Sequence, residues 1–355
     1  MKKLSLVLII FASFLLLSGQ GCFNTSKKKA PVGPPDAAVW ISTDKGETWQ
    51  QSALMPTLQG VKNLGDLSVN FLIFDPQDSS TLYWGAGDAG LYISYDGGRS
   101  WQEAKNIIKA RINDLAVDPK AKNIIYASIS NRIFKTTDCC RDWKDIYIDV
   151  PGVAINALAI DPVNSLKILA GLADGRLIKS EDGGLNWSLF YNFKTNIKDI
   201  FYNLNDPRTI YVAMYTEGIF KSTNNGINWN KNEALDKISG GKIFYYGFFD
   251  ETKKDALYIL TDAGFLHSDE GTNSWQEYKL LTPPGRVKIL SFAVNPKNPN
   301  EVYYTTDTTF YKSNNGGNTW ITKNLPTSSR PIYLTTHPQN PNILYLGAMK
   351  VQNKK

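Results

Sequence analysis

Hydrophobic residues in this chain come in short groups of strand length, rich in Ile, Val, Tyr and Phe and closed off by polar turns. Between residues 287 and 324, VKILSFAV, EVYYTT, TFYKS and NTWITKN follow one another with a turn after each of the first three. Such a pattern predicts four consecutive antiparallel strands. One stretch departs from it: a 14-residue apolar run, LSLVLIIFASFLLL, preceded by MKK and followed by SGQGC. That stretch is shorter than the roughly 20 residues a membrane span needs, and with its basic start and small-residue end it reads as an export leader.

The strand pattern repeats. Seven times the chain shows a hydroxyl residue, usually an acid or amide two positions on, a Gly-type turn, and a Trp seven positions after the hydroxyl: STDKGETW, SYDGGRSW, TTDCCRDW, SEDGGLNW, STNNGINW, SDEGTNSW and SNNGGNTW. The tryptophans are Trp49, Trp101, Trp143, Trp187, Trp229, Trp275 and Trp320, and the acids or amides are Asp44, Asp96, Asp138, Asp182, Asn224 and Asn315. Asp or Asn can accept backbone N–H groups in a tight turn, Gly supplies positive φ, and Trp can fold back over the hairpin. These residues are therefore expected to be structural. A second motif interleaves with the first: FDPQDSSTLY, VDPKAKNIIY, IDPVNSLKIL, LNDPRTIY, FDETKKDALY, VNPKNPNEVY and THPQNPNILY. Pro cannot donate to a sheet ladder, so each DP or NP closes one strand and opens a turn.

The first motif resembles the Asp-box (BNR) repeat, and the whole unit is similar to the propellers of sortilin ectodomains, sialidases, xyloglucanases and photosystem assembly factors. The resemblance covers residues 37–350 and implies an all-β, seven-bladed β-propeller with four-stranded antiparallel blades. Whole blades are expected at about 61–105, 110–148, 153–192, 196–233, 242–280 and 287–325. The chain begins its repeats with a third and fourth strand (AAVWIS, TWQQSA) and ends them with a first and second (RPIYLTTHP, NILYLGAMK). Residues 331–350 and 37–53 should therefore share the last blade, which removes free sheet edges.

Composition narrows the function. The chain has 355 residues and a formal charge of +6, which falls to +4 without Lys2 and Lys3. So small and dispersed an excess gives no reason to expect a nucleic-acid partner. Three cysteines and two histidines leave little for a disulfide framework or a His-based metal site, and no metal or cofactor is expected. Adjacent Cys139 and Cys140 read as inert thiols, since a vicinal bridge would be strained. Cys22 resembles the lipidated cysteine of bacterial lipoproteins. The expected organisation is a leader at 1–21, a lipidated Cys22 with a tether at 22–36, the propeller at 37–350 and a short tail at 351–355. A membrane partner through that anchor and an extracytoplasmic location follow.

On a propeller, function is expected on the connections that differ between blades. Counting seven residues back from the second motif's acid places Arg111, Lys288 and Arg330 at one level of the channel mouth, with Asp199 at that level in the fourth blade and Lys198 and Lys242 close by. These cations suit an anionic protein or glycan partner. Asp88, Asp174, Asp262 and Asp307 form an acidic counterpart explained by turn chemistry. The Arg-Ile-Pro signature of sialidases is absent, and xyloglucanases resembling this repeat use two propellers where one is present here. The expected function is a non-catalytic binding or assembly scaffold, with no catalytic residue assigned; the alternative is a sialidase-like or other glycoside hydrolase working at the channel mouth.

Overall fold

A computed structural model describes residues 36–351 apart from 251, 283 and 284. The leader, Cys22, the tether up to residue 35 and the tail from residue 352 lie outside the described residues. Seven four-stranded antiparallel sheets follow one another along the chain, as the resemblance implies. Blades 1 to 6 span 71–103, 114–148, 155–192, 197–231, 244–277 and 291–324. The seventh combines Arg330–Thr336 and Leu344–Met349 with Ala38–Ser42 and Gln50–Ser52. Its central pairing sets Val39 opposite Gly347 and Trp40 opposite Leu346, antiparallel. The first strand of every blade lines a central channel.

The seven hydrophobic clusters lie at the junctions between consecutive blades. Ala38, Val39 and Tyr345 of blade 7 pack with Leu72, Leu82, Trp84, Tyr92 and Trp101 of blade 1. The same arrangement recurs around the ring, down to Ala293, Tyr303 and Phe310 of blade 6 against Leu334, Leu344 and Leu346 of blade 7. Each blade is thus half of two cores. No blade can bury its apolar faces alone, so burial, the main favourable term in folding, is secured only when the ring is complete.

The repeated turns behave as their residues suggest. In the first, the Ser42 hydroxyl donates to Asp44 at 2.7 Å and accepts the Gly46 N–H, while Asp44 accepts the Thr48 N–H at 2.9 Å. Equivalent bonds join Ser94 with Asp96, Thr136 with Asp138, Ser180 with Asp182, Ser222 with Asn224 and Ser313 with Asn315. In blade 5 the corresponding residue is Glu270, and only the Thr272 N–H to Ser268 bond remains of this set. In blade 2, Cys139 and Cys140 hold φ of 58° and 65°, the left-handed region Gly favours, and both are free thiols. Burial pushes the Cys140 thiol far up, consistent with an inert sulfhydryl.

The tryptophans differ from expectation. Rather than covering only their own hairpin, several reach the preceding blade. Trp101 donates to the Ser52 carbonyl and hydroxyl, Trp275 to Asn232 and Trp320 to the Lys279 carbonyl. Trp187 does fold back, onto the Gly184 carbonyl at 3.2 Å. Second-strand tyrosines make complementary bonds to the next blade's turn: Tyr345 to Gly97, Tyr126 to Gly183 and Tyr211 to Gly271. The turns therefore act as inter-blade fasteners.

One element was not expected. Leu54–Thr57 and Gly60–Asn63 form a separate hairpin between the closing blade and blade 1 in the chain, and only its residues 61–63 fall within the range assigned by sequence to the first blade.

Trp101 is 0 % exposed, whereas Trp187 is half-buried. Trp101→Ala is expected to lower stability by about 3–5 kcal/mol in denaturant unfolding and Trp187→Ala by distinctly less. Equal losses would contradict the inter-blade role.

Candidate functional site: the channel mouth

The channel is positioned by the second repeated motif. At the end of each first strand one polar residue accepts the N–H two residues on: Asp75 from Gln77, Asp118 from Lys120, Asp161 from Val163, Asn203 from Asn205, Asp250 from Thr252, Asn295 from Lys297 and His337, through Nδ1, from Gln339. These caps define a common register for the seven strands. In blade 4 the cap is Asn203, not Asp206 of the DP dipeptide. The sequence count for that blade is thus wrong by three residues, and Asp199 does not sit at the level of Arg111.

Counting four residues back from each true cap gives Phe71, Asp114, Ala157, Asp199, Tyr246, Ser291 and Tyr333. Asp114 and Asp199 therefore occupy equivalent positions two blades apart, separated by the small Ala157. Both line a cavity of about 1360 Å³ that runs through the ring. Asp114 accepts N–H groups from Leu115 at 2.8 Å and from Leu158 of the next blade at 2.7 Å. Among the described residues Asp199 accepts a single N–H, that of Ile200, at 2.8 Å. Enclosure by the ring pushes Asp114 up to about 7, with the nearby charge of Asp199 adding to the shift. Enclosure likewise pushes Asp199 up to about 6, against the opposing pull of Lys198 and the Ile200 N–H. Burial raises the Tyr333 phenol, and the Asp199 charge adds to the shift. Its ring stacks 6.3 Å from that of Tyr246. Tyr246 is fixed in turn by donating its hydroxyl to the Phe292 carbonyl at 2.9 Å.

Bulges shape the rim. The first strands of blades 3, 4, 5 and 7 each slip register near the mouth, between Ile155 and Ala157, Ile197 and Asp199, Phe244 and Tyr246, and Pro331 and Tyr333. The extra residues are Asn156, Lys198, Tyr245 and Ile332, and all four line the channel. A bulge re-aims one side chain without breaking the sheet, a device frequent beside active sites. Asn156 and its counterpart Asn113 donate to the Ile197 and Ile155 carbonyls of the following blades, tying these irregular strands together.

Of the cations singled out from sequence, Arg111, Lys198, Lys288 and Arg330 line this cavity and Lys242 does not. Lys242 lies instead in the segment entering blade 5, where its carbonyl accepts the Gly218 N–H. Lys288 stands over the Tyr245 ring, 4.5 Å from its centre, and Arg330 pairs with Asp307 at 3.5 Å. Asp114 was missed by the sequence reading. Its signal was available: two carboxylates at one register position among aromatic and small residues.

Two enclosed carboxyl groups whose acidities are coupled and raised can divide the roles of proton donor and acceptor. No protein-family model matches the chain. An oligoxyloglucan-reducing end-specific xyloglucanase of Emericella nidulans is 24% identical over 160 residues, 42% of this chain and 19% of that protein. Xyloglucanase Xgh74A of Acetivibrio thermocellus is 28% identical over 158 residues, 43% of this chain and 16% of that one. Among solved structures, the GH74 xyloglucanase from Xanthomonas campestris aligns with a TM-score of 0.64 at 16% identity, covering 85% of this chain and 52% of its own. The chain thus spans about half the length of that enzyme. These hydrolase relatives overturn the expectation of a non-catalytic scaffold and favour the glycoside-hydrolase alternative.

Infrared titration of carboxyl bands should show a protonated acid persisting towards neutral pH that disappears in Asp114→Asn. Removing the neighbouring charge with Asp199→Asn should move the Asp114 midpoint down; an unmoved midpoint would mean that the two groups do not interact.

Proposed function

We propose that this protein is a glycoside hydrolase that works inside the mouth of its propeller channel. The observation that carries the reading is the pair Asp114 and Asp199, two coupled carboxyl groups brought to one level by equivalent strands. Asp114, half protonated near pH 7, serves as the acid that protonates the departing glycosidic oxygen. Asp199, with the lower value of about 6, is the carboxylate that activates water or attacks the sugar carbon. The similarity to xyloglucanases supports a polysaccharide substrate. The seven hydroxyl-to-Trp turns are read as Asp-box repeats. The protein is further proposed to be exported and anchored on the non-cytoplasmic side of a bacterial membrane through a lipid on Cys22.

Hydrolysis of xyloglucan oligosaccharides, other β-glucans and aryl glycosides by the purified protein tests the reading. Asp114→Asn or Asp199→Asn should each lower kcat by about 100- to 10,000-fold with the fold retained. Turnover that survives both substitutions would refute the assignment. Cys22→Ser should release the protein from the membrane fraction; unchanged retention would refute lipidation.

A further inference from the structure

We infer that the saccharide accepted at this mouth is anionic, bearing carboxylate or sulfate groups. This rests on the hydrolase reading and adds the substrate class to it. Four cations, Arg111, Lys198, Lys288 and Arg330, line one cavity. Among the described residues Arg111, Lys198 and Lys288 have no ion-pair partner, and Arg330 has only Asp307, at 3.5 Å. Of the other acids lining the channel, Asp75 and Asp250 lie at its opposite end, where they cap turns and also accept the hydroxyls of Tyr83 and Tyr258. At the mouth itself Asp199 lies in the field of Lys198 and Asp307 pairs with Arg330, which leaves Arg111 and Lys288, among the described residues, as the cations no carboxylate offsets there.

A neutral glycan would leave these cations without a charged partner. Cations converging on a concave site with low-dielectric walls reinforce one another's field and attract an anion. Each guanidinium can also grip a carboxylate or sulfate through two parallel N–H bonds. The cationic lining continues sideways. A second cavity of about 300 Å³ between blades 5 and 6 shares Tyr245, Lys288 and Ile289 with the channel and is lined by Arg286 and Asp262. Tyr245 is fixed there by donating its hydroxyl to Asp262 at 3.1 Å. The two cavities together continue the cationic lining past Lys288 to Arg286, which suits an oligosaccharide carrying charge on more than one unit.

The test separates binding from turnover by using the full chain carrying both Asp114→Asn and Asp199→Asn. Calorimetry would compare uncharged gluco-oligosaccharides, oligouronates and sulfated oligosaccharides of matched length, together with a poly-glutamate peptide. An oligouronate or a sulfated oligosaccharide should bind at least about 10-fold more tightly than the uncharged one, and whichever is preferred identifies the anion. Arg111→Ala and Arg330→Ala should each weaken that binding by about 10-fold, and added salt should weaken it further, while Lys242→Ala leaves it unchanged. Equal affinity for charged and uncharged sugars, binding of the acidic peptide alone, or no saccharide binding would overturn the inference. Cleavage of uncharged glycans by the unmodified protein with no preference for charge would refute it while leaving the hydrolase reading intact. Tight anionic binding without cleavage by the unmodified protein would refute the hydrolase reading alone.

Discussion

Antiparallel pairing of Ala38–Ser42 with Leu344–Met349 is the constraint on which the molecule depends. It joins residues some 300 positions apart in sequence and converts a linear series of sheets into a ring with no free edge at the junction. Loop-closure entropy opposes so distant a contact, but only weakly in proportion to length. Side chains reinforce it at the neighbouring junction. Lys45, in the turn after the N-terminal strand, pairs with buried Glu301 of blade 6 at 2.8 Å, and Glu301 is held by Asn295 and Tyr303. A charge so enclosed is tolerable because every bond it needs is supplied on the spot.

Closure also makes the channel. Seven first strands brought to a common register by their polar caps put residues from separate blades at one depth. Asp114 and Asp199 are 85 positions apart in the chain yet belong to one electrostatic system, because the ring sets both into the wall of one channel. The rigidity that stacks the blades is the rigidity that fixes these groups. The bulges then decorate a regular scaffold with individual side chains, Lys198 and Tyr245 among them, so that a repetitive fold carries an irregular mouth.

Much of this was legible in the sequence, because repetition is the loudest signal a chain can carry. The interleaved motifs announced seven blades, and the missing strands at each end announced the shared one. The hairpin at 54–63 stayed hidden, since it follows no repeat and its Leu58 and Val61 are exposed. The inter-blade reach of Trp101 and Trp275 depends on the angle between sheets, which no local pattern encodes. The carboxyl pair was obscured by one alignment choice. LNDPRTIY contains a DP dipeptide that mimics the cap, while the residue that actually caps the strand, Asn203, lies just ahead of that string. With the wrong cap, Asp199 seemed to be a rim residue and Asp114 had no partner. The cations were found because charge at the start of a strand is conspicuous; the same reasoning included Lys242, which the loop before blade 5 carries away from the cavity.

The pH dependence of kcat/KM on a cleavable saccharide is the most direct test of the central claim. A bell-shaped profile is expected, its acidic limb set by Asp199 near pH 6 and its basic limb by Asp114 near pH 7, with Asp199→Asn abolishing the acidic limb. A profile that keeps both limbs when either carboxyl group is replaced would contradict it.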